Sequence, residues 1–177
     1  MFKCIELEPN TFFLAVELID SFLDSLSISL SKKLLHLVCI SAIYIASKYY
    51  DLSPLGVELV AKELGHNEYS TKQILEMERK ILEIISFRVP TTTILNEVSI
   101  QLKIFATKLT TNKISKSDEE ELMSKVGFIS KMIVHSPDYY TLSKRHLSLG
   151  IIRMAIKQVY QNTSREYFLG SHGYSYK

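Results

Sequence analysis

Residues Leu34 to Ala46 form the longest nearly apolar run in the chain, interrupted only by His36 and Ser41. With Ser31 ahead of it as a cap, the run reads as the middle of a helix reaching about Tyr50 and apolar almost all round. A helix of that kind needs neighbours on every side, so it must be central to whatever the chain builds. It is also too short to cross a bilayer.

The neighbours are expected to be helices as well. Thr11 to Leu26 places Phe12, Ala15, Val16, Ile19, Phe22, Leu23 and Leu26 on one stripe, with Glu17, Asp20, Ser21 and Asp24 off it. Ser53 as cap, Pro54 at the first helical position and Gly65 past the end bracket a short helix. Ser70 with Gln73 is a capping-box pattern opening a helix to about Ser86. Pro90 stops helical propagation and marks a boundary, giving units 1–89 and 90–177, and Thr91 to Thr93 offer caps for the next helix. That helix carries Ile94, Val98, Leu102, Phe105 and Leu109 inward, and a second, opened by Ser117 and Glu120, carries Leu122, Val126, Ile129 and Ile133. A third, Ser143 to about Tyr160, carries Leu147, Ile151, Met154 and Ala155 inward, and the tail from Asn162 is polar. No segment alternates with period two, so the fold class is all-α, with about seven helices, four before Pro90 and three after.

Composition agrees. Among 177 residues, 46% are hydrophobic and only 4 are Pro and 6 Gly, which leaves long unpunctuated stretches and enough apolar mass for a core. Cys4 and Cys39 are far apart and form no CxxC pair, so neither a zinc site nor a disulfide framework is indicated, and a reducing nuclear or cytoplasmic compartment fits. Glu6, Glu8 and Asn10 break up any signal-peptide core, and the chain is expected to be soluble. The net charge of +2 is unevenly spread: residues 1–89 hold 9 Lys/Arg against 12 Asp/Glu, and residues 90–177 hold 12 against 7. A basic half can face nucleic acid or an acidic partner, but no basic run appears, and lysines scattered over solvated faces are the simpler reading. HExxH, GxSxG, GxGxxG and phosphate-loop patterns are all missing and the 5 His are scattered, so no enzyme, metal or cofactor is expected.

Two charges sit in odd places. On the helix opened by Ser70, Ile74, Met77, Ile81, Leu82, Ile84 and Ile85 span one arc and Glu78 falls inside it. A carboxylate there is costly unless it reaches water or pairs, with Lys80 or another side chain. Lys48 ends the central helix, where a cation complements the helix dipole. The alternative is that both project from one apolar surface and clamp a partner's backbone.

At these residues the sequence resembles the cyclin box, most closely that of mitotic A/B cyclins. Thr11-Phe-Phe-Leu-Ala-Val-Glu-Leu-Ile-Asp-Ser-Phe-Leu23 is similar to the second box helix, and Leu34 to Tyr50, ending Ile45-Ala-Ser-Lys-Tyr-Tyr-Asp51, to the third. Tyr69-Ser-Thr-Lys-Gln-Ile-Leu-Glu-Met-Glu-Arg-Lys-Ile-Leu82, then Phe87, Pro90 and Thr91, resembles the fifth. Residues 91–160 resemble the second cyclin repeat in helical pattern only. The resemblance implies a tandem-repeat cyclin fold and a non-enzymatic subunit that pairs with a cyclin-dependent protein kinase and activates it in cell-cycle control. By that carry-over, Lys48 and Glu78 hydrogen-bond the kinase's C-helix region, while Ile45, Tyr49, Leu82 and Val89 match an apolar pocket that receives an isoleucine from it.

The sequence also departs from the family. The opening box helix with its Met-Arg-x-Ile-Leu motif is matched only at its end, by Met1 to Leu7, which removes the arginine expected to pair with Asp20. Ser21 replaces a usual arginine, Tyr50-Asp51 replaces an acidic pair, and the second repeat is expected to be partial. An incomplete chain is therefore expected. The Arg79-x-x-Leu82 pattern lies on a packed helix and reads as core sequence rather than a degradation signal. Two other readings share the fold: a degenerate scaffold without kinase activation, and a transcription-initiation factor of the TFIIB type, which would hold DNA. The Lys48 and Glu78 pair argues against the second, leaving nucleic acid, membrane and small-molecule partners unexpected.

Overall fold

The computed structural model describes residues 7–26, 30–90, 92–108, 116–136, 139 and 141–160. Cys4, Thr91, Leu109, most of Met1 to Leu7 and the tail from Asn162 lie outside them. Among the described residues all regular structure is helical: α1 (Pro9–Asp24), α2 (Lys32–Tyr50), α3 (Val57–Leu59) running into a π-helical turn (Val60–Leu64), α4 (Thr71–Ile84), α5 (Ile94–Lys108), α6 (Lys116–Val134) and α7 (Lys144–Tyr160). The chain divides into two compact units, Met1–Thr93 and Ile94–Lys177.

In the first unit α2 is the hub, packing against α1, α4 and the π turn. The Ser31 hydroxyl accepts the Leu34 N–H at 3.2 Å and starts it, and at its end Lys48 complements the dipole. Small residues along α2, Ser41, Ala42, Ala46 and Ser47, are fully buried and let neighbouring helices approach. One core cluster joins Leu14, Leu18 and Phe22 of α1 to Val38, Ala42, Ile45 and Ala46 of α2 and Met77 and Ile81 of α4. A second gathers Ile40, Leu55, Val60, Tyr69 and Ile74 on the other side of α2.

The stripe expected on α1 is rotated. Phe12 and Leu23 are exposed, whereas Phe13, Leu14, Leu18 and also Glu17 are buried. This helix is apolar on two overlapping faces, and contact with α2 selects the Leu14, Leu18, Phe22 row. The start also moves, from Thr11 to Pro9, and the Thr11 hydroxyl, now inside the helix, donates to Asp51 Oδ1 at 2.8 Å. Asp51, just past the end of α2, accepts the Glu8 N–H at 2.8 Å on the same oxygen and so caps α1 from across the unit.

The helix expected from Ser53 and Pro54 begins at Val57 instead. The buried Ser47 hydroxyl accepts the Leu55 N–H at 2.8 Å, which holds Ser53 to Leu55 as a loop and seats Leu55 in the core. Gly65 does stand just past the end, for a reason of space rather than of left-handed backbone: a Cβ there would stand 2.8 Å from the Ala61 carbonyl oxygen. The π turn closes on it through Gly65 N–H to Val60 O at 2.8 Å, and His66 and Asn67 take the positive φ angles. On α4 the capping box of Ser70 and Gln73 is present in both directions. Its chain exit uses Ser86 and Phe87 at φ of 52° and 57°, without glycine. Thr93 donates to Asn10 Oδ1 at 2.6 Å, tying the end of the first unit to α1.

In the second unit α7 packs against both α5 and α6. Ile94, Val98, Leu122, Val126, Ile129, Leu147, Ile151 and Ala155 are buried as expected, but Phe105 and Met154 are exposed, and Gln101 and Ile152 take inward positions. Lys116 already begins α6, so Ser117 is a helical residue and not its cap.

Candidate functional site

The packing of α2 on α4 brings Lys48 and Glu78 together, 30 residues apart in sequence. Lys48 Nζ donates to Glu78 Oε1, and the ammonium also stands 4.1 Å from the centre of the Tyr44 ring, one turn back on α2. The Glu78 side chain is only 13% exposed and that of Lys48 39%, so the carboxylate lies on the shoulder of the apolar arc with its charge answered from the neighbouring helix. Glu78 is thus an internally paired residue, with Lys48 and not Lys80 as its partner. Three ammonium protons and two carboxylate oxygens share one bond between them, which leaves donors and an acceptor for a further ligand.

Around the pair, Ile45 is buried in the core cluster, and Leu82 and Val89 are half-buried against the same cluster. Tyr49 is not part of that cluster: it is 48% exposed and its ring meets Tyr50 edge-on at 5.1 Å between centres. Tyr50 and Ile85 take the flanking packed positions. The sequence reading missed Tyr44, although its i,i+4 spacing to Lys48 is the signal for a ring beneath a helix cation. Burial first, and then the Glu17 charge, push the Asp20 carboxyl above the usual range. It has an interaction partner in the folded chain. Among the described residues no group of three or more His, Cys, Asp or Glu is placed to hold a metal ion, and no helix is long and apolar enough to cross a membrane.

The family description "cyclin, N-terminal domain" matches residues 1–90, half of the chain. The chain belongs to the cyclin family. Its box is most like those of mitotic A- and B-type cyclins, and its helical architecture agrees with the cyclin fold. It is 39% identical over 89 residues to Cyclin-A3-1 of Oryza sativa subsp. japonica, covering 49% of this chain and 23% of that protein. It is 36% identical over 110 residues to the G2/mitotic-specific cyclin-A of Patella vulgata, covering 62% of this chain and 25% of the relative. Against the G2/mitotic-specific cyclin cdc13 of Schizosaccharomyces pombe it is 40% identical over 79 residues, 45% of this chain and 16% of the relative. These matches therefore span a quarter or less of the relatives' own length.

Proposed function

We propose that this cyclin is a non-enzymatic regulatory subunit that docks on a cyclin-dependent protein kinase and activates it in cell-cycle control, in the nucleus or cytoplasm. The observation that carries the reading is the juxtaposition of Lys48 and Glu78 beside Ile45, Leu82 and Val89. A basic donor and an acidic acceptor held side by side at the edge of an apolar cluster fit the end of a helix and an apolar side chain from it. Covering that cluster supplies the hydrophobic contribution, while unspent bonds of Lys48 and Glu78 meet backbone groups that would otherwise be buried unpaired. Tyr49, exposed beside them, is proposed to fold over the incoming side chain.

Activation is then a shift of population in the kinase: holding its C-helix inward keeps that helix's glutamate near the ATP-positioning lysine, completing a site the cyclin does not enter. No cofactor takes part. Helices α5 to α7 are proposed to be part of a second cyclin-like repeat, with the first box covering residues 1–89. The test is reconstitution: the purified chain is added to a cyclin-dependent kinase and peptide phosphorylation is measured. Stimulation supports the reading. Binding without stimulation would make the chain a scaffold, and absence of binding would remove the proposal.

A further inference from the structure

The second unit carries a surface that the Lys48 and Glu78 reading does not use. Helix α7 holds Lys144, Arg145, His146, Arg153 and Lys157 and not one Asp or Glu. Its inward side is set by Leu147, Ser148, Ile151, Ile152 and Ala155, all buried. On the opposite side His146, Gly150, Arg153 and Lys157 are exposed and fall within about 60° of arc, a row about 16 Å long by helix geometry. Met154, 52% exposed, flanks the row.

Three features are left unexplained by stability. First, Arg145, Arg153 and Lys157 have no carboxylate partner among the described residues. Second, Arg145 stands in the first turn, where the positive end of the helix dipole disfavours a cation, whereas His146 beside it is held by Ser143, whose hydroxyl meets its ring Nδ1 at 2.7 Å and accepts its N–H at 3.4 Å. Third, Gly150 sits in mid-helix, where glycine weakens the helix relative to alanine, yet a Cβ there would meet nothing within 4 Å. Among the described residues neither a turn nor packing asks for glycine at this place, and the bare, exposed turn leaves room for a close approach from outside.

We propose that this face of α7 is a docking surface for an acidic, amphipathic peptide segment of a partner protein. Its carboxylates pair with Arg153 and Lys157, and an apolar side chain seats on the bare turn at Gly150 against Met154. A nucleic-acid backbone fits less well, because phosphates gain nothing from an exposed methionine or from a gap in the middle of the basic row. The charge complementarity is independent of the kinase site, which lies in the first unit, so either proposal can fail alone.

The test uses the full chain and fluorescence anisotropy at low salt with three probes: a labelled Glu/Leu amphipathic peptide, the same peptide with Gln for every Glu, and a twenty-nucleotide oligo-dT. The acidic peptide is expected to bind, and the Gln peptide to bind about tenfold or more weakly. The double variant Arg153→Glu, Lys157→Glu should lose about tenfold or more, with unchanged helix content by circular dichroism. Gly150→Gln, which closes the bare turn without a clash inside the chain, should also weaken the peptide. Unchanged peptide affinity in the double variant overturns the proposal. So does tighter binding of oligo-dT than of the peptide, or a salt-sensitive dimer in sedimentation that the double variant abolishes, since a second copy would then cover the face.

Discussion

Asp51→Ala tests how the first unit is held together, because one carboxylate oxygen serves two donors 40 or more positions away in sequence. The Glu8 N–H and the Thr11 hydroxyl both reach Asp51 Oδ1 at 2.8 Å, and α1 has no side-chain cap of its own. After truncation the exposed Glu8 N–H turns to water at small cost. Thr11 is fully buried, and its stranded hydroxyl costs about 1–3 kcal/mol. Losing an anion at the start of α1 adds about 0.3–1 kcal/mol. Against this, among the described residues Asp51 Oδ2 is itself buried without a partner, and its removal gives something back. The net expectation is about 2–3 kcal/mol of destabilisation by urea unfolding. Thr11→Val in the Asp51→Ala background should then cost far less than in the parent, a coupling of about 1 kcal/mol or more in the double-mutant cycle. A loss under about 0.5 kcal/mol, or additive effects, would refute the idea that Asp51 caps α1 across the unit.

Gly65→Ala should destabilise by about 1–3 kcal/mol in the same assay, since its Cβ would press on the Ala61 carbonyl oxygen at 2.8 Å; a neutral result would mean the π turn yields freely. Ser47→Ala leaves the buried Leu55 N–H without its acceptor and should cost about 1–3 kcal/mol, with hydrogen exchange quickening first at Leu55. Asp20→Asn should raise the melting temperature at pH 7. The folded carboxyl is pushed above its unfolded value, so ionised Asp20 opposes folding above that folded pKa, and the penalty fades as pH falls toward the unfolded value. The gain should therefore shrink in acid, and a gain that grows there would contradict the assigned cause.

Much of the fold was legible because local signals and tertiary needs agree. The Ser31 cap, the Ser70 and Gln73 box and the all-round apolar run of α2 each stand in the structure where the sequence puts them. The misreadings fall where a long-range bond overrules a local preference. Ser53-Pro54 is a plausible helix start until the Ser47 hydroxyl accepts the Leu55 N–H, and α1 reads from Thr11 until Asp51, accepting the Glu8 N–H and the Thr11 hydroxyl, lets it begin at Pro9. Periodicity likewise put Phe12 and Leu23 on the inward stripe of α1, and the position of α2 buries Leu14 and Leu18 instead. At the candidate site, Glu78 was visible as a charge inside an apolar arc. Its pairing with Lys48 was not, because no spacing rule links residues 30 apart on two helices.

The central claim rests on Lys48 and Glu78, and the affinity of single variants for a cyclin-dependent kinase tests it most directly. Lys48→Ala and Glu78→Ala should each leave kinase backbone groups unpaired in a covered interface, at about 2–5 kcal/mol, a loss of roughly thirtyfold to several thousandfold by calorimetry. In the free chain Glu78→Ala leaves the more exposed Lys48 free to turn to water, so unfolding should shift by no more than about 1 kcal/mol, whereas Lys48→Ala strands a mostly buried carboxylate and should cost about 1–3 kcal/mol. Kinase affinity unchanged in both variants, with stability alone reduced, would make the pair a structural contact and contradict the account.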